Sequence, residues 1–448
     1  MVFPAHVLAA IRKLNTAGYE GYAVGGCVRD SLLGKTPHDW DLATSALPEQ
    51  VKEVFAGCRV LETGIQHGTV TLLTDGGPLE ITTYRVDGVY SDGRRPDSVA
   101  FTGSLREDLA RRDFTVNAMA CHPDEGIVDC FSGKKDLENG LIRCVGDPDK
   151  RFSEDALRLM RALRFSSVLG FLIHPDTAES LLRCREALSH IAAERILSEL
   201  LKLLCGKDVF RVLMDYPQLL WVFLPELQPM HQFNQHTPYH LYDVWEHTAR
   251  AVAAAPPKPA LRLALLFHDA GKPSCFTRDD AGQGHFKGHA AVSEMLSRQM
   301  LNRLKASNEL KSRVLMPVRC HDDAIPAERK AVKRWLGKLG AERFSALLAV
   351  KKADDAAKNP EFSQRPQIEA LETLAEELAA ENTCVSLKDL AVNGSDLLAA
   401  GCPAGPEVGR LLAALLTQVI EERCPNERDA LLAAAAREYE GYESTTLF

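Results

Sequence analysis

The hydrophobic period of this chain changes once, and that change limits the fold more than any other feature. Up to about residue 140 the apolar residues come in short runs at 22–25, 69–74 and 79–84, broken by Thr-Asp-Gly-Gly-Pro at 74–78. Runs bounded in this way predict a sheet with hairpins. Helix signals flank it at 4–15 and at 47–55, the second starting at Pro48. After about residue 150 the period becomes helical, through 193–205, 209–214 and beyond. At the junction, Ser153 followed by Glu154 and Asp155 reads as an N-cap with acids in the first helical turn. A sheet-rich beginning followed by a helical remainder is α+β in class.

Composition narrows the compartment but not the activity. The 448 residues are enough for roughly three domains. No apolar run approaches the ~20 residues of a membrane span. The N-terminus has no basic region and breaks its apolar run at Arg12, which argues against a signal peptide. Twelve cysteines are scattered without a C-x-x-C pair, as expected of free thiols in a reducing, cytoplasmic protein with no membrane partner. A net charge of −8 does not announce a nucleic-acid partner, although a local basic surface can coexist with it.

The first chemical constellation lies in GGCVRDSLLGKTPHDWDL, residues 25–42. Two glycines follow a short apolar strand and precede a helix expected to start near Val28. Glycine lets backbone N–H groups approach a phosphate, and a helix N-terminus favours the anion. Arg29, one turn in, could pair with a phosphate oxygen. Asp39 and Asp41 are two apart, so on a strand both carboxylates share one face and can grip one hard cation such as Mg²⁺. Glu80 is a candidate third carboxylate from a neighbouring strand.

The second constellation combines RRDFTVNAM (111–119) with EDALRLMRALRF (154–165). In the first, Arg112 could reach a triphosphate or ribose, with Asp113 orienting it. In the second, Glu154, Arg158, Arg161 and Arg164 fall on one helical stripe beside an apolar stripe of Leu157, Met160 and Leu163. Asp155, three before Arg158, can pair with it.

Together these residues resemble the class II tRNA nucleotidyltransferase and bacterial poly(A) polymerase superfamily. The stretch from Gly25 to Thr44 is similar to its motif A and RRDFTVNAM to motif B. DCFSGKKDL (129–137), EDALRLMRALRF and HIAAERILSELLKLL (190–204) look like motifs C, D and E. The resemblance runs continuously over about 1–225. It implies Mg²⁺ on Asp39 and Asp41, and a nucleotide held by Gly26, Arg29 and Arg112. It also implies that Asp155 and Arg158 read the base, with Arg161 and Arg164 nearby. Cytosine and adenine both offer an exocyclic amino donor beside a ring-nitrogen acceptor, which an Asp–Arg pair complements. Uracil and guanine turn a carbonyl toward the Asp, and an unpaired acceptor costs about 1–3 kcal/mol. The expected partners are therefore tRNA, CTP and ATP. The tail segments at 386–412 and 424–432 resemble the tRNA-binding part of the same enzymes. The segment 83–101, present between motifs A and B, argues against an enzyme that adds only CC. An A-adding enzyme, a poly(A) polymerase and an RNA-binding module with an inactive head remain alternatives.

The third constellation is built on histidine. Eight of the 14 histidines lie between His231 and His321. His268-Asp269 ends an apolar helix and is followed by Gly271 and Lys272. His247 precedes it, and His289, His321 and Asp354 follow. This order resembles the HD phosphohydrolase superfamily. It implies a first shell of His247, His268, Asp269 and Asp354 around a divalent transition metal such as Ni²⁺, Mn²⁺, Fe²⁺ or Zn²⁺. Lys272, His289 and His321 would meet substrate phosphate or a second metal. A hydrolase with the head serving only to recruit RNA is a further alternative. The expected order is a polymerase β-like nucleotidyltransferase head with a mixed sheet (1–140), a helical neck and body (141–225), an HD domain (226–360) and a helical tail (366–448), with 358–366 as a linker. Nothing in the sequence fixes the oligomeric state.

Overall fold

A computed structural model describes residues 1–88 and 99–445, so residues 89–98 of the segment between motifs A and B lie outside the described residues. The chain divides into two compact units. One holds Met1–Gln228 with Arg303–Ala306, the other Pro229–Asn302 with Ser307–Phe448.

The first unit is built on a seven-stranded mixed sheet. Its strands in chain order are β1 (Gly21–Val24), β2 (Asp41–Thr44), β3 (Val60–Leu61), β4 (Thr69–Thr74), β5 (Gly77–Thr83), β6 (Met119–His122) and β7 (Gly126–Asp129). Across the sheet they run β3-β4-β5-β2-β1-β6-β7. Neighbours are antiparallel except β2 and β5, which pair in parallel with Asp41 opposite Glu80. Alternation explains β5: Leu79, Ile81 and Thr83 are buried, while Glu80 faces the other way. The helix Ala5–Thr16 covers the sheet with Val7, Ala10, Ile11 and Leu14, a stripe at helical spacing.

The helix α1 (Gly26–Leu32) starts directly after the glycine turn, two residues before the expected Val28. The junction at 150 also differs from the sequence reading. Asp147 caps a helix α2 (Pro148–Glu154) that Pro148 opens, so Ser153 falls in its last turn and is not an N-cap. The chain breaks at Asp155 and restarts as α3 (Leu157–Leu169). Asp155 supports that restart, its Oδ1 accepting the Leu157 N–H at 3.0 Å. Helix α4 (Ala193–Leu204) packs on α3, burying Ile196, Leu200 and Leu203.

A buried carboxylate ties these helices to the sheet. Asp113 is 7% exposed, and its Oδ2 accepts Arg161 Nε at 2.7 Å. Its Oδ1 accepts the Phe114 N–H at 2.8 Å and Asn117 Nδ2 at 3.1 Å. Arg112 pairs instead with the fully buried Asp108, as does Arg111, so Asp113 does not orient Arg112. The reason is positional: Asp108 lies three and four residues before the two arginines, one turn away.

The second unit is helical. It contains α5 (Val244–Ala254), α6 (Pro259–Phe267), α7 (His289–Arg303, all but its last residue), α8 (Asn308–Cys320) and α9 (Ala341–Asp355), followed by tail helices with a separate core around Leu397, Leu411, Leu415 and Leu431. The segment 358–366 is not a loose linker. Ser363 Oγ donates to Asp355 at 2.7 Å, the Gln364 N–H does so at 2.6 Å, and the next helix starts at Arg365. All twelve cysteines are free. No helix among the described residues is long and apolar enough to cross a membrane.

Burial would raise the Asp113 pKa, but Arg161 and the hydrogen bonds outweigh it and hold it down to about 2. Its stabilisation is therefore complete above the unfolded carboxylate value of 3.8 and is lost as pH falls toward 2. Asp113→Asn should destabilise the first unit by about 3 kcal/mol at neutral pH. Denaturant melts between pH 6 and 2 should also show a shallower acid limb in the variant. An unchanged limb would show that Asp113 is not the titrating group.

Candidate active site and metal centre

The glycine turn and the strand end of β2 form the first site. Gly25 adopts φ +76°, and a Cβ there would meet Arg112 Nη1 at 2.9 Å. Glycine is needed here both for the turn and for the space that Arg112 fills. Gly26 opens α1 beside Arg29, whose Nη2 lies 3.7 Å from where a Gly26 Cβ would be. Asp39 and Asp41 are exposed on either side of the buried Trp40, with Asp41 at the first position of β2. The Asp41 carboxyl pKa is raised, first by desolvation, then by Glu80 across the parallel pair and by Asp39, with Arg112 opposing them. An Asp41 carboxylate crowded by two others could hold a divalent cation.

Arginine surrounds a single ring beside this turn. The Arg29, Arg161 and Arg164 guanidinium carbons lie 5.1, 5.4 and 4.0 Å from the centroid of Phe165. Each also has a polar partner. Arg29 donates to Asp30 at 2.8 Å and to Asn117 at 2.6 Å, Arg161 to Asp113, and Arg164 to Glu199 of α4 at 3.3 Å. Burial and then the neighbouring Arg161 push the Arg164 pKa below its ordinary value. Guanidinium groups gathered like this could pair with phosphate oxygens.

The expected pairing of Asp155 with Arg158 does not occur. Arg158 Nη1 donates to Glu154 at 2.6 Å and to the Arg151 carbonyl at 3.0 Å, while Nη2 donates to the Arg111 carbonyl at 3.0 Å. Because the helix breaks between Glu154 and Leu157, Arg158 turns back to α2. Asp155 instead accepts Arg195 Nη2 of α4 at 3.0 Å. Arg195 Nη1 is buried and has no hydrogen-bond partner among the described residues. Sequence reasoning missed Arg195, Asn117, Asp108 and Glu199. Only Asp108, one turn before its arginines, carried a local signal.

The second site lies wholly within the second unit. His247 on α5, His268 and Asp269 after α6, and Asp354 on α9 converge. His247 Nε2 lies 2.9 Å from Asp354 Oδ1 and 3.4 Å from Asp269 Oδ2. His268 Nε2 lies 3.2 Å from Asp269 Oδ2 and 3.4 Å from Asp354 Oδ1. A cation bound at about 2.1 Å places neighbouring donors about 3.0–3.4 Å apart, so the spacing fits one. The Nδ1 atoms of His247 and His268 face backbone carbonyls of Ala357 and Leu265, which aims both Nε2 atoms inward. Burial would lower the His268 pKa, but Asp269 and then Asp354 hold it up at about 9. Asp269 and Asp354 sit far below the carboxylate range despite burial, Asp269 through His268 and Lys272, Asp354 through Lys358 and His247. These acids require a positive neighbour, whether proton or metal.

Lys272 is buried, with Nζ 2.7 Å from Asp269 Oδ2 and donating to Gln235 at 2.8 Å. Lys358, which the sequence reading passed over, donates to Asp354 Oδ2 at 2.7 Å. Burial and then Lys272 push the nearby His240 pKa down to about 2. A cavity of about 340 Å³ opens here, lined in part by Tyr239, Lys272, Lys287, His289 and Lys358.

Comparison with known proteins places the chain. Residues 21–143 match the family 'Poly A polymerase head domain', 170–230 'Probable RNA and SrmB- binding site of polymerase A' and 288–435 'tRNA nucleotidyltransferase domain 2 putative'. A CCA-adding enzyme of Lactiplantibacillus plantarum is 36% identical over 436 residues, covering 96% of each chain. One from Levilactobacillus brevis is 36% identical over 429 residues, covering 95% of each. The crystal structure of a Bacillus stearothermophilus CCA-adding enzyme in complex with CTP superposes with a TM-score of 0.73 at 31% identity, covering 98% of both chains. With relatives aligned along nearly its whole length, and with a head that carries the paired carboxylates, the chain belongs to the family of CCA-adding enzymes.

Proposed function

We propose that this protein adds C, C and A in turn to the 3′ end of tRNA, using CTP and ATP and no nucleic-acid template. The carrying observation is the alignment with CCA-adding enzymes over 96% of both chains. In each cycle the tRNA 3′-hydroxyl oxygen bonds to the α-phosphorus of the nucleotide, its proton is lost, and pyrophosphate leaves. Asp39 and Asp41 hold Mg²⁺, with Glu80 beside them. The cation, when bound, stabilises charge on the attacking and leaving oxygens. Gly26, at the glycine turn, and Arg112, packed beside that turn, receive the triphosphate, and Arg29, Arg161 and Arg164 line the same side.

Base choice rests on Asp155, which accepts from the exocyclic amino group of C or A. Arg195 steadies that carboxylate. Arg158 donates to the ring nitrogen after leaving Glu154. Asp155→Ala should lower CTP and ATP incorporation and narrow their advantage over UTP and GTP by about one to two orders of magnitude, or ~1–3 kcal/mol for one base-edge contact. Arg195→Ala should shift the same ratio in the same direction, and Asp41→Ala should abolish addition of both nucleotides. The measurement is kcat/KM for each NTP on three tRNA primers: lacking CCA, ending in the first C and ending in the second C. An unchanged ranking of the four nucleotides in Asp155→Ala would overturn the base-reading role. A wild-type protein that extends only one of the primers would overturn complete CCA addition.

A second reading applies to the second unit, where His247, His268, Asp269 and Asp354 form a divalent-metal phosphohydrolase centre of the HD kind. The supporting observation is the set of four buried donors at coordination spacing. A transition metal there, whether Ni²⁺, Mn²⁺, Fe²⁺ or Zn²⁺, lowers the pKa of water and draws charge from a phosphoryl group. Lys272 and Lys358 line the cavity and attract the phosphoester. His268→Ala should remove metal-stimulated hydrolysis of bis(p-nitrophenyl) phosphate while nucleotide addition persists. Equal loss of both activities in a folded variant would argue against a separate centre.

A further inference from the structure

The two acids of the head are held in different ways. Asp41 is fixed by the sheet, since it opens β2 and lies opposite Glu80 of β5. Asp39 lies outside the strand, and among the described residues no hydrogen bond holds residues 36–39. Of residues 34–41, Trp40 is the only buried one, at 7% exposure. Asp39 and Asp41 are exposed on either side of it, as alternation along an extended chain requires. With no hydrogen bond to fix it, Asp39 takes its position from the burial of the neighbouring indole.

That indole has an aromatic partner from a distant part of the sequence. Phe3 packs on Trp40 with ring centroids 5.5 Å apart and planes tilted by 41°. Phe3 is half-buried and is followed by Pro4, which stands at φ −60° as the N-cap of the helix Ala5–Thr16. Proline fixes its own φ and restricts the residue before it, so Phe3 leaves the helix in a set direction. The helix is in turn anchored by its buried stripe of Val7, Ala10, Ile11 and Leu14. A line of packing therefore runs from this helix through Phe3 and Trp40 to Asp39.

The position so held is electrostatically unfavourable. Asp39 adds to the negative charge that Asp41 already feels from Glu80. An exposed segment free to move would carry Asp39 away from that charge, and the buried aromatic pair opposes the movement.

We propose that Phe3 and Trp40 are positioning residues of the head's cation site, holding Asp39 beside Asp41 so that one divalent cation meets both carboxylates. The inference rests on reading Asp39 and Asp41 as metal ligands and adds how the less constrained of the two is kept in place. Neither aromatic side chain touches the nucleotide in this account. Their effect passes through Asp39 alone.

The probe is Tb³⁺, which binds carboxylate sites suited to hard cations and luminesces when a nearby tryptophan is excited. The head signal is the difference between the full chain and the same chain carrying Asp39→Ala and Asp41→Ala, which subtracts every other site. Phe3→Ala keeps Trp40 as the sensitiser. It should raise the Tb³⁺ midpoint by about threefold to tenfold, the scale of one aromatic pair. The Mg²⁺ concentration that half-saturates CTP addition to a tRNA lacking CCA should rise with it, while the ranking of the four nucleotides stays as in the parent. Phe3→Tyr should restore both midpoints. Trp40→Phe should keep the Mg²⁺ midpoint near that of the parent, and Trp40→Ala should raise it. Circular dichroism and melting temperatures check that the variants fold. A lower melting temperature in Phe3→Ala with both midpoints unmoved would show a structural contact only and would overturn the positioning role. A Tb³⁺ signal that survives Asp39→Ala and Asp41→Ala undiminished would instead overturn the metal-site reading, and the positioning role with it.

Discussion

Asp113 sits where the sheet meets the helices, and the arginine cluster around Phe165 depends on it. The carboxylate is fixed from three sides: by Arg161 of α3, by Asn117, and by its neighbouring backbone N–H. Asn117 in turn accepts Arg29 from the glycine turn at 2.6 Å. One buried acid therefore sets the distance between the turn that carries Arg29 and the helix that carries Arg161 and Arg164. The three guanidinium groups meet around Phe165 because this chain of hydrogen bonds holds them there. Buried charge is expensive unless every partner is present, so the arrangement is rigid.

The two sites solve opposite electrostatic problems. In the head, cations gather around an aromatic ring, while Asp41 at the start of β2 is repelled by Glu80 of β5 and by Asp39. Each arginine of the cluster is paired with a carboxylate, Arg29 with Asp30, Arg161 with Asp113 and Arg164 with Glu199. In the second unit acids, imidazoles and lysines are packed together. Imidazole lone pairs and both Asp269 oxygens converge in a buried space, with Lys272 and Lys358 at its edge. Each imidazole is oriented by a backbone carbonyl behind it, so the aim of the ligands is set by the helices themselves.

The corner around Asp155 shows how a local pattern can find a residue and still misjudge its neighbour. Spacing alone put Asp155, Arg158, Arg161 and Arg164 on one uninterrupted helix. Asp147 and Pro148 start the helix earlier, the chain breaks at Asp155, and Arg158 folds back on Glu154. The partner that Asp155 does find, Arg195, lies 40 residues away on another helix. The segment 358–366 gives a parallel case: its polar, proline-containing sequence suggests a linker, but Asp355 pins it in place.

The sequence by itself determined the class of fold and the kinds of chemistry. The change from short alternating runs to helical period required a sheet followed by helices. The two-residue spacing of Asp39 and Asp41 placed both acids at one strand end, and the His-Asp pair closing an apolar helix marked the second site. Such features are local, and side-chain spacing along one strand or helix fixes which residues share a face. Tertiary structure alone decided which charged groups meet: Asp113 with Arg161, Asp155 with Arg195, His289 with His321. Those pairings depend on how separate helices pack, and packing is set by the apolar residues between them, which carry no mark of the polar partners they bring together.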